Sequence, residues 1–319
     1  MLFIRTNSGF TNGDLYNQCQ VDFFKEKIPY VPVVTGNNFE NSEIITLGDS
    51  FFNSVLSSDV FASELGKYVQ YKVHNIQNTG KYFAMEVDYP LAYFINRGSD
   101  NHKKRILILE TVERFSLKRS GLYCGANRPD SPQSRFKRFY DNSDIEYFFQ
   151  NNIVFNPVLR MIKNARFRIF GLVDGSIGAY SINPPMLFSE EDISFRNKVK
   201  SEPEIERMAD NIGELSRMLE TRFNIILVYV IIPDKLSVYR DKAGNEPPYN
   251  DFIPKVTSKI RQRGVKCIDL YSVYRNQRQH DDAMLYFGAD THFTPLGKKI
   301  LAVECAREID KIMKSEAAN

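Results

Sequence analysis

The sequence predicts an α/β protein, a three-layer sandwich in which helices cover both faces of a mainly parallel central sheet. Two observations lead there. Several apolar runs show no polar alternation: "EIITL" (43–47), "RILILE" (105–110) and "IILVYVII" (225–232). Strands of that kind are buried on both faces, as in parallel sheets. These runs also alternate with segments of helical spacing, the crossovers that parallel strands require. With 319 residues the chain can bury such a core. We expect a single domain over 1–319 with an insertion at about 115–200.

The elements follow in order. "EIITL" leads into a helix expected to start near Ser50, and "RILILE" is the next strand. From about 115 to 200 the pattern breaks into a stretch rich in Arg, Lys, Asn, Pro and Gly. Within it we expect a helix over 144–164 and a hairpin near "LVDGSIGAY" (172–180). Ser201 and Glu204 form a capping box with Pro203 in the first turn. Ile205, Met208, Ile212, Leu215 and Leu219 then repeat with helical spacing into the strongest strand, "NIILVYVII" (224–232). A helix around 250–263 precedes "VKCIDL" (265–270). The last helix opens at Thr294 and Pro295 and carries Leu296, Ile300, Val303, Ala306, Ile309 and Met313 on one face. In such folds, sites lie beyond the carboxyl ends of the strands.

Composition narrows the function classes. A net charge of +3 does not argue for nucleic acid. The longest apolar run is strand length, far short of the ~20 residues of a membrane-spanning helix. The N-terminal "MLFIRTNSGFTNGD" has no apolar core of a signal peptide. On that ground the protein is either cytoplasmic or a piece from which a targeting segment has been removed. Cys19, Cys124, Cys267 and Cys305 have no metal spacing, and Cys267 and Cys305 read as small core residues. No cofactor or metal is expected.

The chemistry concentrates in two short blocks. "LGDSFF" (47–52) follows the first apolar strand. Ser50 there is either a helix cap, a role that Ser and Asp favour, or a nucleophile. A nucleophilic serine needs an imidazole to take its proton and a carboxylate to orient that imidazole. Of the four histidines, His74, His102 and His280 have ordinary polar or strand-like neighbours. His292 stands in "YFGADTHFTPLG" (286–297), two residues after Asp290 and just before the last helix. Asp290 and His292 are either polar loop residues or the remainder of a triad.

Taken together, G-D-S and D-x-H-F-T-P-x-G resemble the SGNH (GDSL-type) hydrolase superfamily. Within it they resemble the branch of alginate and other polysaccharide O-acetyltransferases. The resemblance implies an SGNH-like fold and acyl-ester chemistry with Ser50 as nucleophile, His292 as base and Asp290 as its orienting acid. It implies an O-acetyltransferase or acetylesterase acting on a polysaccharide. A membrane-bound acyltransferase would supply the acetyl group on the outer, periplasmic side of the membrane, which stands against the N-terminus as read above. "ILETVERF" (108–115) and "IPDKLSVY" (232–239) resemble further segments of that branch. They single out Glu110, Arg114, Lys235 and Tyr239 as substrate-binding residues near the sheet's carboxyl edge. Phe293 stands where the branch usually has Trp, which keeps an aromatic wall. The G-x-N-D block of ordinary GDSL esterases is absent. The oxyanion donors would be the Ser50 N–H, with Gly80 and Asn78 of "QNTGKYF" (77–83).

Two other functions remain open. A basic run interleaved with aromatics (Arg114, Lys118, Arg119, Arg128, Arg135, Lys137 and Arg138, with Phe115, Tyr123, Phe136 and Phe139) is either a solvated loop or a surface of a binding module. Such a module would hold an anionic glycan rather than nucleic acid. A small-ester esterase without a polymer partner would use the same triad.

Overall fold

The structure, a computed structural model, describes residues 10–29, 38–52, 61–76, 86–98, 103–125, 155–174, 177–198, 200–244, 249–280 and 284–317. Its strands, in chain order, are β1 (Phe10–Thr11), β2 (Ile28–Pro29), β3 (Ile44–Leu47), β4 (Val73–Ile76), β5 (Arg105–Val112), β6 (Ile177–Ile182), β7 (Pro185–Ser189), β8 (Ile225–Ile232) and β9 (Lys266–Ile268). Five of them form the central sheet in the order β4-β3-β5-β8-β9. Every pairing in it is parallel.

The unbroken apolar runs have the predicted cause. Along β5 and β8, neighbouring side chains go to opposite faces, and both faces are covered. Ile106, Ile108, Val228, Val230 and Ile232 enter one core with Leu301, Cys305 and Ile309 of the final helix, Pro295–Ala317. Leu107, Leu109, Leu227, Tyr229 and Ile231 enter the other. There they meet Leu91 and Phe94 of the Pro90–Arg97 helix, Met208 and Ile212 of Glu202–Phe223, and Val256 and Ile260 of Phe252–Gln262. The result is the three-layer α/β arrangement. Cys267 and Cys305 are buried free thiols within it.

Capping fixes the long helix as read: the Ser201 and Glu204 side chains satisfy each other's backbone N–H groups. Ahead of the final helix, the Thr294 hydroxyl accepts from the Gly297 N–H at 3.3 Å, with Pro295 in first position.

Other expectations shift. After β3, residues 49–52 form a turn, and the helix expected from Ser50 is described only as Phe61–Leu65. The helix expected over 144–164 is described as Phe155–Phe170, its earlier part lying outside the described residues. The hairpin is β6–β7, a few residues later than read, because the turn falls at Asn183–Pro184.

The described parts of the 115–200 stretch pack against the rest of the protein. Ser116, Arg119, Ser120 and Tyr123 are buried, and the Tyr123 hydroxyl lies 3.3 Å from that of Tyr229 in the sheet. A third, smaller core joins Ile177 and Leu187 of the hairpin and Phe167 of the Phe155–Phe170 helix to Leu15, Cys19, Val21 and Phe24 near the N-terminus. This satellite leans on the carboxyl edge of the sheet, where β3, β5 and β8 all end.

Candidate active site

Three loops meet at that edge. The first follows β3. Gly48 lets the chain pass directly over Glu110, since a Cβ there would lie 2.3 Å from Glu110 Oε2. That oxygen instead accepts the Asp49 N–H at 2.8 Å. Asp49 Oδ1 accepts the Phe51 N–H, and Asp49 Oδ2 binds Arg119 Nη1 at 2.7 Å. Held from both sides, the turn leaves Ser50 exposed at its crest. Among the described residues, the Ser50 N–H has no hydrogen-bond acceptor.

The second loop is a tight reversal between Tyr286 and Phe293, closed by Phe287 N–H to His292 O at 3.1 Å and Thr294 N–H to Leu285 O at 2.9 Å. Within it the Asp290 carboxylate is buried. Asp290 Oδ1 lies 2.6 Å from His292 Nδ1 and also accepts the His292 N–H at 2.8 Å. His292 Nε2 lies 2.8 Å from Ser50 Oγ. The Phe51 ring packs beside the imidazole, its centroid 4.9 Å away. Phe293 is buried against Phe51 and Tyr286, so this ring braces the loop from inside.

The structure therefore brings Ser50, His292 and Asp290 into one hydrogen-bonded line across 242 residues of sequence. Burial works against the charged imidazole. The Asp290 hydrogen bond and charge, with Asp14 and Asp49 nearby, outweigh it and raise the His292 pKa. Burial likewise opposes the Asp290 carboxylate, yet its bonds to His292 hold its pKa below the usual value. An imidazole so placed can take a proton from the hydroxyl and be stabilised while it carries it.

The third loop follows β8. Lys235 is buried, and its ammonium donates to the carbonyls of Phe287 (3.1 Å), Gly288 (3.0 Å) and Asp290 (2.8 Å). Burial brings its pKa down to about 8 against the pull of Asp14 and Asp290. The Tyr239 hydroxyl accepts the Leu285 N–H at 2.7 Å. Arg114 is clasped by Asp234 (2.6 Å) and Asp192 (3.2 Å). Glu110 has no exposed surface, and burial with the Asp49 charge pushes its carboxyl well above the ordinary range.

Glu110, Arg114, Lys235 and Tyr239, expected to contact substrate, are each held by other parts of the protein. Their polar groups are directed to other protein groups, and Glu110, Lys235 and Tyr239 have essentially no exposed face. They shape the loops that carry Ser50 and His292. Gly80 and Asn78, expected as oxyanion donors, lie outside the described residues. So do Arg128, Arg135, Lys137 and Arg138 of the basic run. Arg114 and Arg119 of that run are drawn inward to carboxylates.

Sequence reading missed two residues at the second loop. Asp14 opens a short helix, Asp14–Cys19, and its backbone N–H donates to Asp290 Oδ2 at 2.8 Å. Its carboxylate accepts from the Thr291 N–H at 2.8 Å and from the Thr291 hydroxyl at 2.5 Å. Glu26 accepts the Ala289 N–H at 3.0 Å. No local pattern marks either one; only the Asn-Gly turn before Asp14 hinted at a fixed backbone there. Asp14, Asp290 and His292 offer ligand atoms within 4.8 Å of one another. Each of those atoms is already engaged in the hydrogen bonds just given.

Comparison with known proteins supports the likeness read from the motifs. Residues 185–319 match the model of the SGNH hydrolase-like domain of the acetyltransferase AlgX. A probable alginate O-acetylase, AlgJ of Pseudomonas aeruginosa, is 28% identical over 133 residues, which cover 39% of this chain and 31% of the relative. The chain thus spans about a third of that relative's length. In its sheet topology and in these matches the protein is SGNH-like, resembling the alginate O-acetyltransferase branch. The family match holds the D-x-H loop and Lys235, while Ser50 lies outside it.

Proposed function

We propose that this chain is a polysaccharide O-acetyltransferase working through an acetyl-Ser50 intermediate. One observation carries the reading: Ser50 Oγ, His292 and Asp290 stand in line at 2.8 and 2.6 Å. His292 Nε2 takes the Ser50 proton as Oγ attacks the acetyl carbonyl of the donor. The tetrahedral oxyanion is met by the Ser50 N–H, with Gly80 and Asn78 as its partners. The oxyanion collapses to acetyl-Ser50, and the donor's leaving group departs with the proton from His292. A sugar hydroxyl then gives its proton to His292 and attacks the acyl carbon. Ser50 leaves and recovers the proton, and the acetyl group rests on the glycan.

The similarity to an SGNH hydrolase-like acetyltransferase domain and to a probable alginate O-acetylase supports a polysaccharide acceptor over water. We assign the acetyl donor to a membrane-bound acyltransferase and the site of action to the periplasmic side. No helix among the described residues is long and apolar enough to cross a membrane.

The test is intact-mass labelling with a fluorophosphonate and, on separate unlabelled protein, incubation with an acetyl ester and oligosaccharides. We expect one adduct, lost in Ser50→Ala and His292→Ala, and acetylated sugar as product. Labelling with release of free acetate alone would make the protein an acetylesterase. No adduct on the unmodified protein would end the triad assignment.

A further inference from the structure

The Asp14 carboxylate is not part of the Ser50–His292–Asp290 line, yet it touches that line at several points. Its backbone N–H occupies the Asp290 oxygen that His292 does not use. Its Oδ1 and Oδ2 hold both the N–H and the hydroxyl of Thr291, the residue between acid and base. Oδ2 also lies 4.0 Å from His292 Nδ1. The approach is built into the backbone. Gly13 has φ 90°, and a Cβ there would fall 2.3 Å from the Ala289 carbonyl oxygen. The Tyr16 N–H donates to that same oxygen at 3.0 Å.

We infer that Asp14 is a positioning residue of this site: it fixes the D-x-H loop through Thr291 and Asp290, and it sets a second negative charge beside the imidazole that strengthens the base. The inference rests on the acyl-transfer reading for its use, though not for its measurement. The groups that face His292 are Asp290 and Asp14 on one side and Ser50 and Asp49 on the other. Asp49 is neutralised in large part by Arg119. Lys235 approaches the loop from the carbonyl side and holds its backbone. Asp14 is thus the nearest carboxylate after Asp290 to the Nδ1 edge of the ring. A charge at that distance in a half-buried site acts on the imidazolium far more than on the neutral ring.

The experiment is histidine titration by NMR on protein labelled with 15N-histidine. The chain has four histidines, so the His292 signal is identified by its loss in His292→Ala. In Asp14→Asn, which keeps the size and one of the two acceptor oxygens, we expect the His292 midpoint to fall by about 0.5 to 1 unit, a three- to tenfold drop in proton affinity. Asp14→Glu should restore part of it. Thr291→Val, which removes one hydrogen bond and no charge, should leave the midpoint in place while lowering the melting temperature. Asp14→Ser provides a second neutral variant suited to a helix start. An unchanged midpoint in either folded neutral variant would overturn the inference. Failure of both to fold would also overturn it, reducing Asp14 to a structural role. Fluorophosphonate labelling of the unmodified protein reports separately. No adduct alongside an Asp14-dependent midpoint would sink acyl transfer alone, and an adduct with an Asp14-independent midpoint would sink this inference alone.

Discussion

Arg119 holds Asp49, with Nη1 2.7 Å from Oδ2, and its Nε reaches Asp88 at 3.0 Å. The residue just before Ser50 is therefore tied to the Glu113–Ser120 helix, which follows a neighbouring strand. Removing one member of a buried pair strands the other charge, at a cost of about 3–5 kcal/mol. We expect Arg119→Met to lose stability on that scale in urea unfolding and to label at Ser50 more slowly. Unchanged labelling would show that the turn holds its shape without the pair.

Lys235 should matter to the opposite half of the site. Three carbonyls depend on its ammonium, and unpaired buried polar groups cost about 1–3 kcal/mol each. Lys235→Met is expected to lower the melting temperature and, by loosening the segment before His292, to reduce kcat more than it raises KM. A pure rise in KM for the sugar acceptor would return Lys235 to a substrate-binding role.

The pH dependence of activity and of stability should run in opposite directions around His292. Its folded pKa is raised above the unfolded value of about 6.5. Its stabilising contribution is full below the unfolded pKa and is lost as pH rises through the folded one. The base works only when neutral, so labelling should increase over that same rise. Labelling rate and melting temperature measured across the range would check both signs. A labelling midpoint at or below about 6.5 would contradict the raised pKa.

Arg114 offers a fourth test. Burial, with mutual repulsion, pushes Asp192 up to about 8, and Asp234 is pushed up to about 7 despite the Arg114 charge. Arg114→Gln should cost about 3–5 kcal/mol from pH 8 upward, where both carboxyls carry charge. The deficit should shrink in mild acid. The Arg114 charge holds both pKa values down, so without it the folded carboxyls bind protons more tightly still, and falling pH stabilises the variant more than the unmodified protein. Unfolding curves at pH 8 and 5.5 would separate this from a packing defect, whose cost would be the same at both.

Features with a local cause were legible in the sequence. The two-faced burial of β5 and β8 is written in their unbroken apolar runs, and the long helix in its capping box. Ser50, Asp290 and His292 were legible as motifs because each sits on a short loop beside a recognisable strand or helix. Asp14, Glu26 and Arg119 were not, since their partners lie 277, 263 and 70 positions away. Glu110 and Lys235 were legible only in part. Their place near the ends of strands was read correctly, but a strand covered on both faces turns a charged side chain inward as readily as toward the cleft. Only the three-dimensional partners settle the direction.

The sequence separation of the Ser50–His292 contact bears on when the chemistry can begin. During synthesis the serine emerges 242 residues before its base, and Asp14 waits still longer for Asp290. A nascent chain therefore carries Ser50 with no imidazole to activate it. Contacts so distant in sequence also form late in folding. On the acyl-transfer reading proposed above, that chemistry waits until the sheet is complete and the loop ahead of the final helix has closed on Ser50, so a ribosome-bound or half-folded copy is silent.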